Sequence, residues 1–164
     1  MNLLTTLLGL TIIRSSGGSS HRSSILIGLT VFLDYNVAML SAPSKYAIRA
    51  LIFLSETDPS EFYSVESIAE HVDVPSSYLS KIIAELSEAG FVKTKKGAKG
   101  GVQLSATAFS FRDVCEALGD PVLNDYCFLS SNKCSKRNPC EFHERWHKER
   151  LRINNFLEGL KIQR

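Results

Sequence analysis

No apolar run in this chain reaches the ~20 residues that a membrane-spanning helix needs, although residues 3–13 and 25–33 are both strongly apolar. The first run also lacks the positively charged start of an export signal, because the chain opens Met1-Asn2-Leu3-Leu4. An excess of one charge is missing as well. With 19 Lys and Arg against 17 Asp and Glu, the net charge is +2, so only local clustering of charge can point to a nucleic acid. A glycine-rich phosphate loop, a nucleophile–base pairing and a paired-carboxylate pattern are all absent, which leaves an enzyme without support. Cysteine is scarce, at four residues, but three of the four fall close together.

That cluster reads Cys-x6-Cys-x5-Cys-x2-His, with Cys127, Cys134, Cys140 and His143 as candidate ligands. The residues between the cysteines are polar, without strand or helix period, so something other than packing has to fix them. Asn138-Pro139 reads as a helix start, which would put Cys140 in a first turn and His143 three residues later on the same face. A disulfide with one spare thiol is the plainest alternative, but no export signal supports an oxidising compartment. Structural zinc sites favour cysteine pairs two to four residues apart, and these gaps are wider. Iron–sulfur clusters accept wider spacing and histidine in place of cysteine. Both metals stay open on spacing, with iron–sulfur ahead.

The length suits one domain with a full core. Residues 1–38, with the serine-rich segment 15–24 between their two apolar runs, are expected to lie outside the folded module, with Met39 as the natural start. A membrane hairpin or a cleaved leader is the alternative for that segment. From Met39 the order is clear. Tyr46 to Leu54 has an apolar face at helical spacing, and Asp58-Pro59-Ser60 ends it. Ser64 caps a short helix carrying Val65, Ile68, Ala69 and Val72. Asp73-Val74-Pro75 breaks the chain, and Ser76 opens a third helix with Leu79, Ile82, Ile83 and Leu86 buried and Gly90 as its stop. Two helices joined by so short a turn form a helix-turn-helix.

Residues 91–95 then read as a strand, 96–101 as a tight loop and 102–104 as a return strand. Lys93, Lys95, Lys96 and Lys99 place four positive charges in seven residues with no acid among them. Alone, this would be a solubilising hairpin. Attached to a helix-turn-helix, it is a wing whose lysines position the protein on phosphates. The residues expected to face bases are Ser76, Ser77, Tyr78, Ser80 and Lys81 at the start of the third helix, with Lys81 able to donate to guanine. Tyr78 has two alternatives, packing or touching phosphate, and Lys45 completes the DNA-facing set. Ser110 and Asp113 form a capping box for a connecting helix, in which Cys115 acts as a small hydrophobe outside the site. The last helix is expected from Pro139 to about Ile162, its seam of Phe142, Trp146, Ile153, Phe156, Leu157 and Leu160 partly meeting a second copy. Packing back on its own chain is the alternative for that seam.

Residues 39–162 resemble the Rrf-type winged-helix regulators, the bacterial family with IscR-like and NsrR-like members. The matching pieces are Met39-Leu40-Ser41 with Lys45-Tyr46-Ala47, the Ile68-Ala69 helix, Pro75-Ser76-Ser77-Tyr78-Leu79, and the wing ending Gly100-Gly101. The resemblance implies a cytoplasmic homodimeric transcription factor, bound to a double-stranded palindromic operator and responsive to an iron–sulfur cluster, with no membrane partner. It also implies a ligand set. IscR-like members carry a histidine three residues after the last cysteine, which matches His143 and favours 2Fe-2S. Members with a 4Fe-4S cluster use an aspartate in the first helix, where this chain has Lys45. The first cysteine gap departs from the family, six rather than five, the wing has lysine where arginine is common, and His147 is a rival to His143.

The expected architecture is mainly α with a small β-wing: a winged helix-turn-helix at 39–105, a connecting helix at 106–126, the cluster loop at 127–143 and a dimerisation helix at 139–162. Two other functions are consistent with the same residues. One is a zinc-stabilised or cluster-free winged-helix repressor; the other, more remote, is an iron–sulfur electron-transfer protein.

Overall fold

Capping side chains mark where most of the helices begin. The computed structural model describes residues 39–97, 100–105, 108–130 and 132–163, so the expectation for residues 1–38 and the wing residue Lys99 lie outside the described residues. Helix α1 (Ala42–Glu56) starts behind Ser41, whose side chain accepts from the Ser44 N–H, with Pro43 pre-set for the first turn. It is four residues longer at its N-terminus than the apolar periodicity from Tyr46 suggests. Ser64 caps α2 (Val65–Val72) in the same way. Asp73, at φ +55°, turns the chain in the left-handed region, and α3 (Ser76–Glu88) follows from Pro75. Ser110 and Asp113 form the reciprocal capping box of α4 (Phe111–Ala117), as the sequence predicts.

The wing is strands β1 (Val92–Lys95) and β2 (Gly101–Leu104), antiparallel with Val92 opposite Leu104 and Lys95 opposite Gly101. Val92, Val102 and Leu104 face the core, whereas Lys93 and Lys95 are exposed. Tyr63 bridges to Val102 through two backbone hydrogen bonds of 2.9 and 2.8 Å, docking the wing on the segment before α2.

One hydrophobic core unites these elements. Ala47, Leu51 and Leu54 of α1 meet Ile68 and Val72, Leu79 and Leu86, and Val102, all at most 1% exposed. Burying a side chain of this size stabilises by roughly 1.5–3 kcal/mol, so the helix-turn-helix and wing fold as one unit.

Three further features differ from the sequence expectation. The connecting helix expected over 106–126 is confined to Phe111–Ala117, with a strand over Ala108–Ser110 before it and a short 3-10 turn at Pro121–Leu123 after it, because Gly119 and Pro121 break the helix. The last helix, α5, spans His143–Gly159 rather than beginning at Pro139. Pro139 and Cys140 precede the helix: His143 N–H donates to the Cys140 carbonyl, and the regular ladder opens only with Trp146 N–H on Phe142 O. Cys140 therefore lies in a loop and not in a first helical turn. At the other end the chain leaves the helix and forms β4 (Lys161–Gln163), antiparallel to β3 (Ala108–Ser110), with buried Phe109 opposite buried Ile162. Three-residue strands whose partners lie some fifty positions away carry too little period to be read locally. No described helix is long and apolar enough to cross a membrane.

Asp120 joins the two ends of this core. It is 2% exposed. Its carboxylate accepts from Ser41 N–H at 3.0 Å, Ser41 Oγ at 2.7 Å and Val122 N–H at 2.8 Å. Burial pushes its pKa up, but hydrogen bonds from Ser44, Val122 and Ser41 outweigh that and hold it below the usual carboxylate value. A depressed carboxylate contributes stability that is full above its unfolded pKa, about 3.9, and lost as pH falls through the lower folded value. Asp120→Asn is expected to cost about 2 kcal/mol at neutral pH and to flatten the loss of stability below about pH 4. Denaturant melts across that pH range measure both, and an unchanged midpoint at neutral pH would remove the carboxylate from the ledger of stabilising contacts.

Candidate functional site

The helix-turn-helix presents one polar face. Leu79, Ile82, Ile83 and Leu86 turn α3 into the core, which leaves Ser77, Ser80 and Lys81 exposed on the opposite side. Ser76 is half-buried, and its carbonyl accepts from Ser80 Oγ at 2.8 Å. Tyr78 packs edge-on against Tyr46, ring centroids 6.0 Å apart, so packing is one role it fills. Lys45 is exposed on α1, one turn from exposed Arg49. Arg49 escaped the sequence reading, although two cations four residues apart on one helix are a legible signal.

On the wing, Lys93 and Lys96 are exposed, and the Lys95 ammonium lies 5.6 Å from the Phe62 ring centroid. Two of the three wing glycines, Gly100 and Gly101, have a steric reason. A Cβ on Gly100 would sit 2.1 Å from the Lys95 carbonyl oxygen, and one on Gly101 would sit 2.4 Å from that of Tyr63. Gly101 also has φ +150°, which side chains rarely adopt.

The second candidate site is the cysteine segment. The sequence shows no strand period there, yet the backbone forms a short hairpin: Cys127 N–H donates to Asn132 O at 2.9 Å and Cys134 N–H to Asp125 O at 2.7 Å. Helix α5 holds this hairpin by side chains. Trp146 Nε1 donates to Tyr126 O at 3.0 Å, Phe128 packs on Trp146 at 5.4 Å, and Arg150 pairs with Asp125 at 3.5 Å. Trp146 was predicted as a seam residue, and nothing in its spacing signalled this anchoring role.

Cys127, Cys134, Cys140 and His143 all line one cavity of about 280 Å³. They approach in two pairs. Cys127 Sγ lies 3.5 Å from Cys140 Sγ, and Cys134 Sγ lies 3.1 Å from His143 Nδ1. Among the described residues, no three His, Cys, Asp or Glu side chains converge as a ready group around a single ion. The Cys127 thiol is held below its ordinary pKa by the Leu129 backbone N–H and by Cys140, and Cys140 is held above its own because its proton is shared with Cys127. His143 is 5% exposed, and its Nε2 is buried without a hydrogen-bond partner. His147 stacks on His143 with centroids 6.3 Å apart but does not line the cavity. Cys115 is fully buried in the core, and burial, followed by the charge of Asp120, pushes its pKa up to about 11. It is an inert thiol.

A model of the Rrf2 family, described as an iron-dependent transcriptional regulator, matches residues 40–164. The chain belongs to the Rrf2 family. Its Rrf2 module is 32% identical over 123 residues to a provisionally named helix-turn-helix regulator of Aquifex aeolicus, spanning 73% of this chain and 85% of that one. It is 26% identical over 125 residues to IscR of Vibrio vulnificus, covering 75% of this chain and 74% of the relative. Its fold is shared with CymR, the global cysteine regulator of Bacillus subtilis, at a TM-score of 0.61 and 23% identity over 74% of this chain and 91% of CymR. As an Rrf2 member the chain is a DNA-binding transcriptional regulator and not an enzyme. Gly101→Ala is expected to destabilise this regulator by about 1–3 kcal/mol and to weaken DNA binding by unseating the wing from Tyr63. Thermal unfolding and gel shifts test it, and a superimposable melting curve would show that the close backbone approach is dispensable.

Proposed function

We propose that this Rrf2 regulator is a cytoplasmic homodimer that binds a palindromic operator and responds to an iron–sulfur cluster, 2Fe-2S in preference to 4Fe-4S. The observation that carries the reading is the two-pair arrangement of Cys127 with Cys140 and Cys134 with His143 around one cavity. Two thiolates on one tetrahedral metal at bonds of ~2.3 Å sit about 3.8 Å apart, close to the 3.5 Å between Cys127 and Cys140. Two separate ligand pairs suit two metal centres better than one zinc ion, which would draw all four together. The donor set of three thiols and one imidazole fits a cluster with histidine in place of one cysteine. Nδ1 of His143 is engaged by Cys134 and its buried Nε2 has no partner, so one ring nitrogen is open, on a ring held at the helix start. When bound, the cluster supplies a redox-, iron- or nitric-oxide-sensitive crosslink between hairpin and helix.

The chain's own residues would turn that crosslink into a DNA response. The hairpin is held to α5 by few contacts, chiefly Trp146, Phe128 and the exposed ion pair at Asp125. Tying Cys127 and Cys134 to His143 would fix the start of α5 relative to the winged module. Along α5, Leu151 and Phe156 are exposed and Ile153 is half-buried, an apolar seam suited to a second copy. The spacing of two recognition helices on two half-sites then depends on how α5 is held. A cluster shifts operator affinity only by its differential binding to the two arrangements. At each half-site, Ser76, Ser77, Ser80 and Lys81 would read bases, with Lys81 donating to guanine. Tyr78, Lys45 and the wing lysines Lys93, Lys95, Lys96 and Lys99 would contact or support the contacts to phosphates.

Protein purified without oxygen is expected to be brown and to carry iron and acid-labile sulfide. Colourless protein holding zinc would replace the cluster by a structural ion. Cys134→Ala should abolish iron and sulfide loading while keeping a cooperative melt and basal DNA binding; undiminished loading would refute the ligand assignment. Replacing Lys93 and Lys96 by alanine should weaken binding to all sequences alike and reduce the slope of log K against log salt by roughly 0.9 per lysine. An unaltered slope would take both lysines off the phosphates.

A further inference from the structure

Four cysteines allow several pairings, and the structure sets up one of them. Cys127 Sγ and Cys140 Sγ are 3.5 Å apart, and a disulfide needs them at about 2.05 Å. Closing that gap takes a movement of under ~2 Å between two loop residues. Neither lies in a helix or a strand, and both line the same open cavity. Cys134 lines that cavity too, but its Sγ is paired with the His143 ring nitrogen at 3.1 Å. Cys115 is fully enclosed by the core. The segment that the bond would close, residues 127–140, is tied down by hydrogen bonds near Cys127 and Cys134 but exposed over most of its length between them and up to Pro139.

We infer that Cys127 and Cys140 form a peroxide-reactive dithiol which, when it carries no metal, closes to an intramolecular disulfide and blocks metal uptake until it is reduced. The oxidant is hydrogen peroxide. The thiolate of one cysteine attacks a peroxide oxygen; the S–O bond forms as the O–O bond breaks, and the departing hydroxide takes a proton to become water. The second thiol then displaces the sulfenic oxygen as a second water, forming the S–S bond. Two thiols lose two electrons in all, and one peroxide becomes two waters. Reduction by a dithiol reverses the outcome by exchange. Because the bond removes two donors of the cavity at once, the oxidised protein keeps only Cys134 and His143 there. The blocking of uptake rests on the ligand assignment proposed above; the formation of the bond does not.

The full-length metal-free protein, treated with one equivalent of hydrogen peroxide, alkylated and digested with trypsin, separates these cases. Lys133, Lys136 and Arg137 put the three loop cysteines on three different peptides. The expected product links the peptide of Cys127 to that of Cys140, with Cys134 alkylated and Cys115 modified only after denaturation. Cys140→Ser should instead leave Cys127 as a sulfenic acid that dimedone traps. Oxidised wild type should take up less than a tenth of the iron or zinc bound by the same protein after dithiothreitol. Four free thiols after peroxide, or a bond that chiefly involves Cys134, overturns the inference. A Cys127–Cys140 bond in a protein that binds no metal even when reduced upholds the dithiol and overturns the cluster reading instead. A protein that loads iron and sulfide yet forms no such bond overturns the dithiol alone.

Discussion

Helix α5 depends on what holds its two ends, because along 17 residues it buries only His143 and Leu157. Its C-terminal end is secured by the β3–β4 ladder, in which Ile162 enters the core opposite Phe109 and Phe111 N–H donates to the Leu160 carbonyl. Its N-terminal end has no capping side chain and is held by His143 and the hairpin around Cys127. One anchor is built from buried apolar surface and backbone ladder, and it is strong. The other is built from one indole hydrogen bond, aromatic edges and an ion pair whose Asp125 is 67% exposed, and screening leaves that pair little net energy. On the proposed reading, a bond formed at the cysteines would act on the less firmly held end of the helix.

The winged module is built the opposite way. Its helices share a continuous core, the wing is bridged to Tyr63 by two backbone hydrogen bonds, and Asp120 ties the cap of α1 to the turn that leads toward the cysteine hairpin. The proposed base-reading residues Ser77, Ser80 and Lys81 lie on the back of a helix whose other face is buried, so their backbone positions are held together. A rigid reader joined to a weakly held arm is the arrangement in which a local bond change alters the placement of a whole module.

The chemistry of the cysteine cavity follows from its low structural investment. Half-exposed thiols in a loop with open neighbours are available to a metal or to an oxidant, whereas Cys115, packed in the core beside Asp120, is available to neither. The same pair that a metal would bridge is the pair that a disulfide would join, so on the proposed reading metal binding and thiol oxidation would compete for the same two sulfur atoms.

By itself the sequence determined the winged helix-turn-helix: the caps at Ser64 and Ser110, the turn at Asp73-Val74-Pro75, the buried stripe of α3 and the lysine wing all follow from local period, capping and turn chemistry. It also determined the identity of the candidate ligands, because residue type and spacing carry that chemistry without a fold. Only the tertiary structure decided that α5 opens at His143 and not at Pro139, that its end pairs with β3, and that the polar loop is a hairpin hung on Trp146. Each of these rests on contacts between residues 20 or more positions apart or on a cap that is absent, and neither leaves a periodic trace. The sorting of the four candidate ligands into two pairs is of the same kind. It is a matter of which side chains face one another across a cavity, and spacing along the chain does not record it.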